Sequence, residues 1–219
     1  MSDKYHLSIE WKTYLELINL MPQYFKKGLL DIIIDENEID EYYRMTKKKL
    51  GVVYKSEYHY MVVDLVRNGI GGRNFAYERL LPRNPVGSVV IIPIYQGSYV
   101  LLRQFRHALR KEVLAFPRGF GEHSVSAEKN AIKELQEELG VTDILKLRRI
   151  GKIAPDSGSQ GIEADTFICE INQPQIKSGY EEILCLEILS PQQIWKAINS
   201  GEIVDGYTLA AMALLNSNS

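Results

Sequence analysis

"GFGEHSVSAEKNAIKELQEELG", Gly119–Gly140, is the stretch on which the reading of this chain turns. Ser126 suits a helix N-cap, Glu128 suits the first turn, and Gly140 suits a C-terminal stop. The spacing between them predicts a helix. Ala131, Ile132, Leu135 and Leu139 form one apolar face. Glu134, Glu137 and Glu138 fall at i, i+3 and i+4, so they are expected to share another face. Like charges repel at that spacing, and a charge run on a helix is usually a solvated surface. Only Lys133 lies one turn away, opposite Glu137, and a lysine ahead of a glutamate is the weaker order for such a pair. One cation does not neutralise three acids. The preceding loop carries Gly119 and Gly121, which permit close backbone approach, and a further acid, Glu122. Carboxylates beside such a loop suit magnesium, a hard ion that takes oxygen ligands and keeps waters and phosphates around it. On spacing alone, the metal reading and the solvated-surface reading stand about even.

The rest of the composition narrows the class. The chain has 219 residues, 45% hydrophobic and 25% charged, with a formal net charge of −2. That is ordinary for a globular protein and gives no push toward nucleic acid or an acidic membrane. No apolar stretch approaches the ~20 residues of a membrane span. The opening "MSDKYHLSIEWK" lacks the basic-then-apolar pattern of a secretory signal. Cys169 and Cys185 have neither metal-ligand nor redox spacing, which points to buried free thiols and a cytoplasmic, reducing location.

Along the chain, "IEWKTYLELINLM" has a helical period that Pro22 ends. "LLDIII" reads as a short strand, and "DENEIDEYYRMTKKK" as a helix with acids first and bases last. From Gly51 the segments "GVVYKSEYHYMVVDLVR" and "FAYERLL" are β-branched and aromatic, hence strands, on either side of the turn "NGIGG". "SVVIIPIY" and "YVLLRQFR" flank Gln96-Gly97-Ser98 as a hairpin. Strands are expected at "VLAFPRGF", "LRRIGKIA", "ADTFICEI" and "EILCLEIL". "SPQQIWKAINSG" carries capping-box spacing and a first-turn proline, and Asp205 suits the cap of a last helix. The expected organisation is a helical extension over 1–50, a β-strand region over 51–84, and a mixed sheet flanked by helices over 85–219.

The central stretch resembles the Nudix box. That pattern runs Gly, five residues, Glu, seven residues, then Arg-Glu-apolar-x-Glu-Glu-x-Gly-apolar. Gly119, Glu134, Leu135, Glu137, Glu138, Gly140 and Val141 match in register. Val125 stands where the pattern has its first acid, and Lys133 where it has arginine. The flanks "VLLRQFRHALRKEVLAFPRGFGE", "PDSGSQGIEADTFICE" and "GEIVDGYTLAAMAL" are similar to the corresponding parts of ADP-ribose pyrophosphatases. The resemblance covers Val86 to about Leu215 and implies a Nudix fold, an α/β/α sandwich around a mixed sheet, with an N-terminal helical and β-strand extension. It also implies metal-dependent hydrolysis of a nucleoside diphosphate linked to a second moiety, with ADP-ribose to AMP and ribose 5-phosphate as the leading reaction.

By the same resemblance, Glu134, Glu137 and Glu138 hold Mg²⁺ or Mn²⁺. Glu163, on the loop beyond the box, is the expected general base, with Glu137 as the other candidate. Arg103 and Arg106 lie three apart on one strand, so they point to opposite faces, and at most one faces the site. The resemblance assigns phosphate or a neighbouring acid to Arg106; a structural salt bridge suits Arg103. Arg118, just ahead of Gly119, is expected to reach substrate phosphate or to pair with Glu122. Lys133 and Glu122 are expected to support the ligands. Lys133 keeps a charge but loses the planar fork of arginine, and Val125 pairs with no cation. The competing class is a catalytically weak Nudix domain that binds a nucleotide and signals. In ADP-ribose pyrophosphatases the strands ahead of the Nudix domain exchange with a partner subunit and help form the adenine site. A homodimer is therefore expected, with Tyr54, Tyr58, Tyr60 and Phe75 as candidate base-stacking residues.

Overall fold

The computed structural model describes residues 4–69, 71–175 and 182–217. The chain divides into two compact units: residues up to Arg83 together with Asp156–Ile162, and Asn84–Pro155 together with the residues from Glu163 onward.

In the first unit, α1 (Ile9–Leu20) starts at Ser8, whose hydroxyl accepts from the Trp11 amide, and ends just before Pro22. β1 (Leu30–Ile32) follows, then α2 (Glu36–Thr46), capped by the Asp35 carboxylate. β2 (Gly51–Lys55), β3 (His59–Asn68) and β4 (Asn74–Pro82) complete an antiparallel sheet in which β3 pairs with all three other strands. Ile70, in the expected "NGIGG" turn, lies outside the described residues. The helical and β-strand segments expected as separate regions share one core: Trp11 and Tyr14 of α1, Ile39 of α2, and Val52, Val62 and Leu65 of the strands. A buried charge anchors it. Asp64 is 1% exposed, accepts from the Tyr14 hydroxyl at 2.5 Å, and is gripped by Arg79 through Nε (2.5 Å) and Nη2 (2.9 Å).

Residues 156–162 join this unit as an added edge to β4. The Leu80 amide donates to Ser159 O (2.8 Å), the Gly161 amide donates to Leu80 O (2.9 Å), and the Tyr77 hydroxyl donates to Gly158 O. Nothing local in "DSGSQGI" announces this, because the partners are some eighty residues earlier in the chain. Of the candidate stacking residues, Tyr60 is buried, whereas Tyr54, Tyr58 and Phe75 are exposed.

The second unit is built on a seven-stranded sheet: β5 (Val89–Tyr95), β6 (Ser98–Arg106), β7 (Lys111–Ala115), β8 (Arg118–Gly119), β9 (Ile144–Ile153), β10 (Ala164–Ile171) and β11 (Ile183–Leu189). The order is β11-β6-β5-β10-β9, with β7 beside β6 and β8 beside β5. β5 and β10 run parallel and the other pairs antiparallel, which makes the sheet mixed. The β5–β6 hairpin turns at Gln96 and Gly97, both left-handed, as a two-residue turn matched to strand twist requires.

Side chains alternate across this sheet and feed two cores. Val89, Ile91, Val100, Leu102, Phe167 and Cys169 pack beneath α3 (Ala127–Leu139). Val90, Ile92, Leu101 and Leu114 pack beneath α4 (Pro191–Asn199) and α5 (Gly206–Ser217). The result is a three-layer α/β/α sandwich. α4 has its capping box, and the Asp205 carboxylate caps α5 through the Thr208 amide (2.9 Å). Both cysteines are free; Cys169 is buried, but Cys185 is exposed on β11, against the expectation of two buried thiols. Among the described residues, no helix is long and apolar enough to cross a membrane.

Candidate active site

Helix α3 is capped as its sequence predicts. The Ser126 hydroxyl accepts from the Lys129 amide (3.3 Å), and Gly140 closes the helix at φ +60°. Its three glutamates do not share one exposed face. Glu134 and Glu138 are buried (8% and 2% exposed) in the stripe that carries Ala131, Leu135 and Leu139, while the Glu137 side chain is one-third exposed. A stripe of i, i+3, i+4, i+7 positions is wide enough to hold both apolar and acidic neighbours, which a count of matching spacings does not separate.

Gly119 lies directly under Glu134. A Cβ at position 119 would overlap the Glu134 carboxylate, so the absent side chain is what lets the carboxylate lie against the strand. Gly121 is pressed in the same way onto the Val86 carbonyl, and its amide donates to Ser88 Oγ (3.1 Å). The loop is then tied down from the helix. Asn130 Nδ2, buried, donates to the Gly87 and Phe120 carbonyls, each at 2.8 Å. Asn84 Nδ2 adds a bond to Gly121 O (3.0 Å). A buried asparagine inside an amphipathic helix is the sequence signal that could have revealed this role, since it needs partners.

Beside Glu138 lies Gln104 of β6, 1% exposed, whose Nε2 approaches Glu138 Oε1 at 3.5 Å. Arg106 follows two residues later on the same strand, so it shares the face turned to α3. Arg103 points the other way. It donates through Nε to Glu187 (2.5 Å) and through Nη2 to Glu202 (2.9 Å), bonds that hold its pKa above the usual value. Arg118 also lies on the far face. It pairs with Asp205 (3.3 Å), not with Glu122, and stacks over the Tyr207 ring at 4.8 Å. The structure thus brings Gly119, Glu134, Glu138, Gln104 and Arg106 to one side of the sheet and leaves Arg103 and Arg118 on the other.

Lys133 sits between Glu122 and Glu137. Its ammonium pairs with Glu122 and lies 3.5 Å from Glu137 Oε2. The Glu122 hydrogen bond outweighs partial burial and raises the lysine pKa above its ordinary value.

Glu163 immediately precedes β10. Register places it: Asp165 pairs with Val89, and Val89 pairs on its other side with Gly119. Glu163 therefore stands at the same end of the sheet as Gly119. Alternation puts Asp165 on the face of Phe167 and Cys169, the α3 face, and Glu163 lies one residue ahead of the strand. It is more than half exposed and pairs with Lys152 across the strand (3.1 Å), while Asp165 pairs with Arg149 (2.5 Å).

The donors on this face are carboxylate oxygens, the chemistry that a hard divalent ion takes. Glu134 and Glu138 are two buried acids one helical turn apart. Among the described residues, no three acidic, histidine or cysteine side chains already converge into a closed metal cage. The residues fit an ion that retains waters or substrate oxygens among its ligands.

The model of the NUDIX domain matches residues 85–204, more than half of the chain. The chain belongs to the Nudix family of pyrophosphohydrolases. Among curated proteins, it is similar to the ADP-ribose pyrophosphatase of Bacillus subtilis (strain 168), at 25% identity over 143 residues, which span 64% of this chain and 77% of that one. Among solved structures, it is similar to an ADP compounds hydrolase, with a TM-score of 0.64 at 18% identity, over 76% of this chain and 89% of the other. At that identity the likeness establishes the Nudix fold. The matched residues include α3 and the loop ahead of it.

Proposed function

We propose that this Nudix enzyme hydrolyses the pyrophosphate of ADP-ribose, giving AMP and ribose 5-phosphate, with Mg²⁺ or Mn²⁺ as cofactor. The observation that carries the reading is the seating of Glu134 against Gly119 beside buried Glu138, in a chain whose curated relative is named an ADP-ribose pyrophosphatase. Glu134, Glu137 and Glu138 would hold the ion. When bound there, it would neutralise the diphosphate and make a nearby water more acidic. Arg106, on the same face, would take a phosphate oxygen, for which a guanidinium fork is suited. Glu163 would accept the proton of the attacking water, a task for a partly exposed carboxylate near substrate. Glu137 is the alternative acceptor. Arg103 and Arg118 have acidic partners on the far face, and we assign them to holding β6, β8 and the start of α5 in place.

The same reading makes the protein a cytoplasmic homodimer. Two free thiols favour a reducing compartment, and exposed Tyr54, Tyr58 and Phe75 of the first unit supply aromatic surface for a second copy and for the base. Sedimentation of the purified protein is expected to give twice the chain mass; a monomer at working concentration overturns the dimer.

The deciding experiment is incubation with ADP-ribose and Mg²⁺, with AMP as the measured product, beside a panel of other ADP-sugars, sugar nucleotides and NADH. AMP from ADP-ribose ahead of the panel supports the assignment. A different preferred substrate corrects the second moiety. Tight nucleotide binding with no product from any member moves the protein to a nucleotide-binding regulatory role.

A further inference from the structure

Two residues separate this box from the family pattern, and the structure relates them. Val125 occupies the place of an acid, and Lys133 that of an arginine. Glu122 and Val125 are the two ends of one tight turn: the Val125 amide donates to Glu122 O at 3.2 Å, with Ser124 left-handed at φ +64°. The ends of such a turn lie within about 7 Å of each other. An acid can therefore move from one end to the other and remain within reach of the same cation on α3. Lys133 uses that freedom and pairs with Glu122. A lysine is the residue for this, since its flexible stem and rotatable donors follow a displaced partner where a planar fork would not.

We propose that Glu122 is a positioning residue that replaces the missing acid at position 125, keeping the Lys133 ammonium in direct contact with itself and 3.5 Å from Glu137, so that the lysine does not close on a carboxylate a divalent ion would use. The inference rests on the metal reading of the box. Lys133 has two carboxylates at hand, Glu122 in direct contact and Glu137 at 3.5 Å on the next turn of the helix. Without Glu122 the carboxylates that remain around the ammonium are Glu137, at 3.5 Å, and Glu134 beyond it, both candidate metal ligands. A cation fixed there competes with the metal both for the oxygen and by charge.

The test is Mn²⁺ binding to the full chain without substrate, read by the electron paramagnetic resonance signal of free Mn²⁺. E122Q should weaken Mn²⁺ binding by about 10-fold, the lower end of the effect of losing a partner behind a metal ligand. Adding V125E to E122Q should restore affinity, because it returns the acid to the other end of the turn. In a K133M background, E122Q should change nothing, because Glu122 acts through Lys133. Unchanged affinity in E122Q, no recovery with V125E, or an equal loss in the K133M background each overturns the proposal while leaving the metal site standing. Wild-type protein that binds no Mn²⁺ removes this proposal and the metal reading of the box together.

Discussion

The carboxylate of Glu134 occupies the space that a side chain on Gly119 would fill. Strand β8 and helix α3 meet at this point, fifteen residues apart in sequence, and the meeting fixes where the Glu134 carboxylate points. Gly119 does not have a positive φ, so alanine is compatible with its backbone. G119A therefore isolates the steric effect. It should leave the melting temperature within a few degrees of wild type, while displacing Glu134 by about 1 Å, enough to cost about 100-fold in kcat/KM. Activity near wild type would mean that Glu134 need not lie where it does.

The first unit depends on Asp64. Its carboxylate joins α1, through Tyr14, to β4, through Arg79, whose Nη1 also donates to the Tyr24 carbonyl (2.8 Å). Removing one partner of a buried pair strands the other, at a cost of about 3–5 kcal/mol for D64A. Y14F removes one hydrogen bond to a charged group and should cost about 1.5–3 kcal/mol. Urea unfolding of the two variants checks the order; equal losses would show that the hydroxyl, not the ion pair, dominates.

Much of this fold is legible in the sequence because its signals are local. The caps Ser126, Gly140, Ser190 and Asp205 each declare a helix end within four residues, and the structure honours all of them. Strand alternation is also local, and it separates Arg103 from Arg106 without any knowledge of what either faces. What is not legible is pairing at long range. The partner of Arg118 is 87 residues away at Asp205, and that of Arg103 is 84 away at Glu187. The burial of Glu134 and Glu138 was hidden for a different reason. A helix position can border both apolar and acidic neighbours, and only the residue opposite, here Gly119 or Gln104, decides which environment it meets.

Asp40 gives a pH signature to the first unit. Burial pushes its carboxyl up, but hydrogen bonds from the His6 amide (2.9 Å) and ring (2.8 Å) outweigh burial and leave it below the ordinary range. A carboxyl lowered on folding contributes stability that is present above its unfolded value, about 3.9, and lost as pH falls through its folded value. D40N should therefore be less stable than wild type at pH 7, with the gap closing below about pH 4. Unfolding curves across that range decide it; a gap that stays constant down to pH 2 would show that charge on Asp40 is irrelevant.

Glu163 provides the sharpest test of the catalytic reading, because its place follows from register alone. Asp165, Val89 and Gly119 stand side by side on three neighbouring strands, and Glu163 lies two residues ahead of Asp165, just outside the strand. It is near the box without belonging to it, so its loss should separate proton transfer from metal binding. E163Q keeps the shape of the side chain and removes its basicity. Turnover is expected to fall by about 10²–10⁴-fold, the usual worth of a positioned base. KM and the Mn²⁺ affinity should change little. E137Q should instead lower metal affinity and turnover together. If E163Q turns over at the wild-type rate, the base lies among the box glutamates, and the Lys152 pair is what Glu163 is for.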